Sequence, residues 1–248
     1  MILRRIIQHV QDQNWTAIAI DFVIVVVGVF IGIQVSNWNA EQSERHDYER
    51  ALERYAAEID ANLADLQDLE ARALDRRAIV FAALDTLLTC QDSPDNRRTV
   101  EAGVRLIIGT YGVGIRTTSL HELTESAPLL AQQSAAERRL LNDTRVRIDY
   151  LLGSGAELES RPHAIAVQDN PMLGLGEREI DEFEKYTRGA DHLPALHPLV
   201  LAEPLDVACR DDALVKAFYT WEYWQSFVPN LTRGIQETLE DSREGLGL

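Results

Sequence analysis

The chain has 248 residues, 46% of them hydrophobic and 26% charged, proportions that are ordinary for a folded protein and leave room for one or two domains. Its 40 Asp and Glu residues against 24 Lys and Arg residues give a formal net charge of −16. A surface with this field repels phosphate backbones and anionic headgroups, so we expect no nucleic-acid partner and no membrane attachment except through buried apolar surface.

An apolar segment near the N-terminus predicts one transmembrane helix. The residues from Ala17 to Val35 read AIAIDFVIVVVGVFIGIQV, and at about 1.5 Å per residue such a helix nearly crosses a hydrocarbon core of about 30 Å. Trp15 and Trp38 bracket the segment, where interfacial aromatic residues tend to lie. The alternatives are a buried core helix, which would normally show a polar stripe, and a signal peptide, whose apolar part is shorter and ends in a cleavage site.

These observations divide the chain into a short cytoplasmic tail (1–14), a transmembrane helix (15–37) and an extramembrane domain (38–248). The number of Lys and Arg residues barely differs between the two flanks of the helix, so the positive-inside rule alone does not orient it. A short N-terminus before a long domain is the usual layout of a signal anchor. We therefore expect the N-terminus in the cytoplasm and the domain in a bacterial periplasm, with the anchor in the inner membrane.

One face of the predicted anchor suits contact with a second helix. At about 100° per residue, five residues fall within about 80° of one another: Asp21, Val25, Gly28, Gly32 and Ser36. The two glycines form a G-x-x-x-G motif, which lets two helix backbones approach closely, and a carboxylate on the same face is costly in hydrocarbon. We predict a contact with a membrane-protein partner or with a second copy. The alternative for Asp21 is hydration near the headgroups.

The end of the anchor also carries a family resemblance. It reads GVFIGIQVSNWN from Gly28 to Asn39 and leads into a helix rich in acidic and basic residues. The segments 119–123, 137–141 and 209–211 fit the same pattern. On these residues the chain resembles a family of single-pass bacterial inner-membrane proteins of unknown function. The resemblance implies an inner-membrane location and a helical extramembrane region, and it brings no activity and no catalytic residues.

Helical spacing dominates the region after the anchor. Residues 41–88 contain no proline or glycine. Their apolar residues recur at steps of three and four, with Asn62 as an interruption: Tyr48, Leu52, Tyr55, Ile59 and Leu66. Asn37 and Asn39 indicate a break between the anchor and this helix, and a continuous rod is the alternative. A turn at residues 91–96 then precedes a helix predicted over about 99–108.

Capping patterns place two further helices. Ser119 with Glu122, and Ser134 with Glu137, have the spacing of a capping box. They predict one helix that is capped by Thr118 or Ser119 and runs to about Ser126. They predict a second helix that begins near Ser134 and runs to about Leu152 or beyond.

The last third of the chain is less regular at first. Residues 161–206 hold five prolines and show little periodicity apart from a short helix predicted at 177–186. A final helix is predicted over 211–243, kinked or interrupted at Pro229. Its stripe should pack against the first long helix: Leu214, Phe218, Trp221, Gln225, Val228, Leu231, Ile235 and Leu239. The predicted fold is therefore an all-α, elongated antiparallel helical bundle behind one transmembrane helix.

The sequence contains no recognisable catalytic, cofactor or metal site. None of the six histidines has the H-E-x-x-H spacing, and no G-x-S-x-G occurs. His192 and His197 share a loop with Asp191, and His121 adjoins Glu122, but exposed loop histidines explain these better than metal ligands do. We therefore expect no cofactor, no metal and no enzymatic activity.

Two other features point to structure or binding. Cys90 ends the first long helix and Cys209 precedes the last one, so antiparallel packing would let the thiols form a disulfide outside the cytoplasm. The alternative is a pair of small buried hydrophobic residues. Tyr223, Trp224 and Phe227 point away from the stripe of the final helix and predict a partner surface, with a second packing layer as the alternative.

The sequence thus favours a non-catalytic accessory or scaffolding subunit of a membrane-associated complex. A periplasmic ligand-binding sensor, with its site in the loops of residues 161–206 and signalling through a partner, is the second hypothesis. An enzyme with a site that the sequence does not reveal is the third.

Overall fold

The computed structural model describes residues 15–110, 112–178 and 197–248. Its helices in chain order are α1 (Trp15–Thr89), α2 (Pro94–Ile107), α3 (Thr118–Glu125), α4 (Ala127–Gln132), α5 (Ala135–Ser160), α6 (Leu205–Ala208), α7 (Asp212–Gln225) and α8 (Val228–Leu246). The fold is all-α, as predicted. Of the helix predicted at 177–186, the first two residues are not helical and the rest lies outside the described residues.

Two short strands and two 3-10 turns occupy the described part of the irregular region. The strands β1 (Leu173–Leu175) and β2 (Leu199–Leu201) pair antiparallel, and the turns cover Pro162–Ala164 and Val167–Asp169. The sequence did not predict this strand pair, because each strand is only three residues long and carries too few positions for an alternating pattern.

The first helix is one uninterrupted rod. α1 extends over 75 residues, which at about 1.5 Å per residue gives a length of about 110 Å. The break predicted at Asn37 and Asn39 is wrong, and the continuous alternative is right. Both asparagine side chains point into solvent. No proline interrupts the helical hydrogen bonds there, so the helix continues through both residues.

A buried stripe along α1, called the seam here, holds the bundle together. Its fully buried members lie at steps of three, four or seven: Tyr48, Ala51, Tyr55, Ile59, Asn62, Leu66, Ala73, Val80, Ala83 and Leu87. Leu52 is half-buried beside them. α2, α3, α4, α7 and α8 all contact α1, and α5 packs on α3 and α8. The seam thus organises the bundle as the spacing predicted.

Asn62 is buried in this seam because it bonds to a loop. Its side-chain amide donates to the Arg116 carbonyl at 2.7 Å, and its side-chain oxygen accepts from the Arg116 N–H at 2.9 Å. Both backbone groups of Arg116 are therefore satisfied inside the bundle, where an unpaired polar group would cost about 1–3 kcal/mol. The interruption of the apolar pattern is thus a specific contact with the segment before α3.

One of the two predicted capping patterns is present in the structure. Ser134 and Glu137 form the predicted capping box at the start of α5. The cap predicted at Thr118 or Ser119 is wrong, because both residues lie inside α3, whose N-cap is Thr117. The Glu58 carboxylate of α1 accepts the Ser119 N–H at 2.9 Å instead, so a distant side chain satisfies a free N–H group of the first turn.

Other boundaries also shift. α2 begins at Pro94, with Ser93 as its N-cap, five residues before the predicted start. The predicted final helix is interrupted at Pro229, which lies in the first turn of α8, so that α7 and α8 are separate helices. Their predicted stripe is nevertheless buried at every position, and both helices contact α1.

Close packing between helices gives the first prediction. A Cβ atom added at Gly103 of α2 would lie 2.2 Å from the Ala83 Cβ of α1 and 2.8 Å from a ring carbon of Phe218. We expect Gly103→Ala to lower the free energy of unfolding by about 1–3 kcal/mol, because the helices must move apart. Denaturant unfolding of the full chain in mild detergent measures the change.

The matched control is Gly153→Ala in α5, where an added Cβ meets no described atom within 4 Å. This variant should be neutral or more stable by up to about 1 kcal/mol, because alanine favours the helix over glycine. Equal stability of the two variants would contradict the close approach of α1 and α2.

Candidate anchor and partner surfaces

The apolar part of α1 is uncovered in the folded chain. Among the described residues, α1 is the one helix that is long and apolar enough to cross a membrane, with a mean hydropathy of 1.7 over its best stretch. None of that stretch is buried inside the protein. A core helix of comparable apolarity would be mostly covered, so the core-helix alternative does not fit. The signal-sequence alternative passes the same test of length and composition.

No described residue packs on Gly28 or Gly32, which form the glycine face of this segment. A Cβ atom added at Gly28 or at Gly32 would meet no described atom within 4 Å, and Ser36 is exposed. The side chain of Asp21 lies outside the described residues. The predicted contact of this face with a second helix therefore stays a prediction.

The aromatic residues of α7 divide between core and surface. Trp221 is buried and donates its Nε1–H to the Gly109 carbonyl at 2.7 Å, so it is a packing residue. Trp224 is half-buried beneath the guanidinium of Arg161, whose carbon lies 5.6 Å from the ring centroid. The alternative of a second packing layer therefore describes Trp224 in part.

Tyr219, Tyr223 and Phe227 form an exposed row beside this layer. Their exposed fractions are 58%, 46% and 39%. The Tyr223 ring stands edge-on to Phe227 at 5.4 Å between centroids and lies 6.2 Å from Tyr219. Such contacts fix the rings without burying them. The row is the part of the predicted partner surface that remains available for binding.

An open groove between α5 and α8 continues this row. It encloses about 700 Å³ and is lined by Tyr150, Leu151, Gly153, Ser154, Glu157, Leu158, Phe227, Asn230 and Leu231. Tyr150, on its α5 side, is 73% exposed. We call Tyr150, Tyr219, Tyr223 and Phe227 the aromatic surface. Tyr150 was not predicted as part of this surface, although its spacing of four residues from Val146 places both on the exposed side of α5.

The end of the bundle that lies farthest from the anchor is closed by a disulfide. Cys90 and Cys209 are bonded, with their Cα atoms 5.4 Å apart. Cys90 follows α1 in the left-handed region, with a φ of 54°, a conformation usually left to glycine at a helix end. Its bond to Cys209 holds this residue in place after the last turn.

Hydrogen bonds also stabilise the end of the bundle that carries the disulfide. Arg97 of α2 donates to the carbonyls of Leu201 at 2.9 Å and Glu203 at 3.1 Å. The Glu101 carboxylate accepts the Leu201 N–H at 3.0 Å. The second strand is therefore tied to α2 through its backbone as well as through the nearby disulfide.

Asp211 joins the irregular region to α7. Its carboxylate accepts from the Asn170 side chain at 2.8 Å and from the Leu214 N–H at 2.7 Å. These bonds, with that from Asn170 first, lower the pKa of Asp211 below its ordinary value. Asp211 is thus the N-cap of α7.

The described histidines are engaged in local contacts. His121 Nδ1 lies 2.7 Å from the Thr117 carbonyl, and His163 Nε2 lies 3.0 Å from the Thr110 hydroxyl. His197 Nδ1 lies 2.7 Å from the Gly176 carbonyl. His9 and His192 lie outside the described residues. In the part of the chain that the structure describes, no group of three His, Cys, Asp or Glu residues is placed to hold a metal ion.

The irregular region borders a small apolar cavity. It encloses about 200 Å³ and is lined by residues 165–167 and 169–171 together with Ala213, Leu214 and Ala217. Ligand pockets usually enclose about 300–1,000 Å³. The described part of this region therefore offers no specific support for the sensor hypothesis, which stays a prediction.

Comparison with known proteins assigns no family to this arrangement. No family model matches the chain, and neither a curated protein nor a solved structure matches it. The resemblance to single-pass inner-membrane proteins therefore stays a prediction.

The disulfide gives the second prediction. Replacing Cys90 and Cys209 together with serine should lower the free energy of unfolding by about 4–5 kcal/mol, because a cross-link across a sequence separation of 119 residues restricts the unfolded chain. Denaturant unfolding of the full chain measures the loss. Reductant should destabilise the wild type similarly and leave the double variant unchanged. Two free thiols in protein taken from its native membrane, read by non-reducing mass spectrometry, would contradict the bond.

Proposed function

We propose that the chain is a membrane-tethered, non-catalytic interaction protein, an accessory or scaffolding subunit whose helical bundle binds a protein partner. The observation that carries the proposal is the aromatic surface beside the open groove between α5 and α8. Exposed aromatic residues next to an apolar groove are typical of the residues that dominate binding energy in protein interfaces. Phe227 and Tyr150 frame the groove and offer rigid apolar anchors at a small entropic cost.

The distance of the aromatic surface from the apolar segment of α1 favours a protein partner over the bilayer. Tyr55 contacts Ser242 at 2.9 Å, and Tyr55 lies about 30 Å along α1 beyond the apolar segment. Phe227 lies about 22 Å farther from the membrane than Ser242, because α8 returns toward the anchor. The aromatic surface is therefore about 50 Å from the apolar segment, well outside the headgroup region.

Orientation and compartment are part of the proposal. The N-terminus lies in the cytoplasm, α1 crosses a bacterial inner membrane, and the bundle lies in the periplasm. The bond between Cys90 and Cys209 supports this arrangement, because structural disulfides persist in oxidising compartments and are rare in the cytoplasm.

The anchor face gives the third prediction. Gly28→Ile with Gly32→Ile should leave membrane insertion intact and abolish association of the anchor, because the added side chains keep two helix backbones apart. Crosslinking in mild detergent measures association, and membrane fractionation measures insertion. The matched control is Val23→Ile with Val26→Ile, on the opposite side of the helix at about 100° per residue. Unchanged association in the glycine variant would reduce the segment to a tether.

The aromatic surface gives the fourth prediction. Tyr223→Ser with Phe227→Ser should remove the partner from protein purified in mild detergent, because exposed aromatic anchors each contribute about 2 kcal/mol or more when they dominate an interface. Leu88→Ser is the matched control, an exposed apolar residue near the disulfide. Both variants should keep the unfolding midpoint of the wild type. Recovery of the wild type only as a monomer, even after crosslinking, would overturn the interaction proposal.

A further inference from the structure

In the part of the chain that the structure describes, the bundle packs mainly on one side of α1. At about 100° per residue, each seam residue from Tyr55 to Val80 points within about 40° of the mean direction of the seam around the helix axis. The opposite side has a complete stripe of exposed residues at steps of three and four: Arg50, Glu53, Ala57, Asp60, Ala64, Asp68, Ala71, Asp75, Ala78 and Ala82. We call this stripe the outer face. Its alanines let another helix approach closely, as they leave little side chain in the way.

The uninterrupted helix fixes the outer face relative to the anchor. Because α1 has no break between Gly28 and Ala82, directions around its axis are preserved from the membrane to the bundle. At about 100° per residue, Gly28 and Gly32 point within about 40° of Ala64. The glycine face and the outer face therefore form one continuous stripe, and the bundle lies on the other side of the rod.

We propose that one partner helix runs alongside α1 in both environments, contacting the glycine face in the membrane and the outer face beyond it. This inference rests on the proposed function and names the partner of the anchor. The partner is a membrane protein whose spanning helix continues outside the bilayer and carries Lys or Arg residues toward α1.

The charges of the outer face disfavour a contact between two copies of this chain. The stripe carries four carboxylates and one guanidinium. The guanidinium, of Arg50, pairs with Asp47, and one of the carboxylates, Asp60, pairs with Arg243 of α8. In a parallel pair of identical helices, Glu53, Asp68 and Asp75 would each face their own counterparts, and like charges at such positions destabilise the contact. Basic residues on a foreign helix would instead complement the carboxylates.

Site-specific photocrosslinking in cells tests this directly. A photoreactive amino acid is placed at Ser36 in the anchor face, at Ala64 or Ala71 in the outer face, and at Ala213 on α7 as an exposed control. We expect adducts of the same mass from the first three positions and none of that mass from Ala213. An adduct that contains only two copies of this 27.9 kDa chain would overturn the choice of a foreign partner.

Alanine insertions between Ala40 and Glu41 test the shared direction. This point precedes Glu44, where the side chain of Gln132 in α4 donates to the α1 carboxylate at 3.1 Å. Two added residues rotate the outer face by about 200° relative to the anchor, and four rotate it by about 40°. The two-residue insertion should keep the Ser36 adduct and lose the Ala64 adduct, whereas the four-residue insertion should keep both. Survival of the Ala64 adduct in the two-residue variant would overturn the inference.

Charge-neutralised variants test whether the carboxylates of the outer face attract a basic partner. Asp68→Asn with Asp75→Asn should reduce the Ala64 adduct severalfold, and Asp143→Asn with Asp149→Asn on α5 is the matched control. An undiminished adduct would overturn the basic partner. A Ser36 adduct without an Ala64 adduct in the wild type would overturn the shared stripe while leaving the proposed function in place. Absence of both adducts would also count against the anchor contact of the proposed function.

Discussion

The buried seam of α1 is the constraint on which the rest of the molecule depends. It brings five other helices to one side of a single rod, and it supplies the continuous apolar burial that opposes the chain entropy of folding. A net charge of −16 adds self-repulsion to that cost. Most carboxylates of α1 are exposed, and a mainly apolar stripe from Tyr48 to Leu87 faces the bundle.

Polar groups inside this seam fix the register of the helices. An apolar stripe alone permits sliding by a turn, but a slip would leave buried polar groups unpaired at a cost of about 1–3 kcal/mol each. Asn62 bonds to the backbone of Arg116, and the Tyr55 hydroxyl lies 2.9 Å from that of Ser242. Burial raises the pKa of Tyr55 to about 12.

The same packing separates the candidate surfaces. α5 packs on α3 and α8, which in turn pack on α1, so the groove beside Tyr150 and Phe227 lies across the bundle from the outer face. The anchor and the outer face point to one side, and the aromatic surface belongs to the other layer. A chain with two surfaces arranged this way suits the proposed role of a scaffold, because two partners would not compete for space.

The sequence by itself determined the features that depend on local spacing. Steps of three and four residues predicted the part of α1 after the anchor and the stripe of α7 and α8, and the capping box at Ser134 predicted the start of α5. Only the tertiary structure decided which groups meet across the bundle. Glu58 caps α3 from a distant helix. Trp224, which the sequence placed on the partner surface, is half-buried beneath the guanidinium of Arg161. Local spacing fixes where a side chain points along its own helix, whereas burial and capping depend on the neighbour that long-range packing brings to that side.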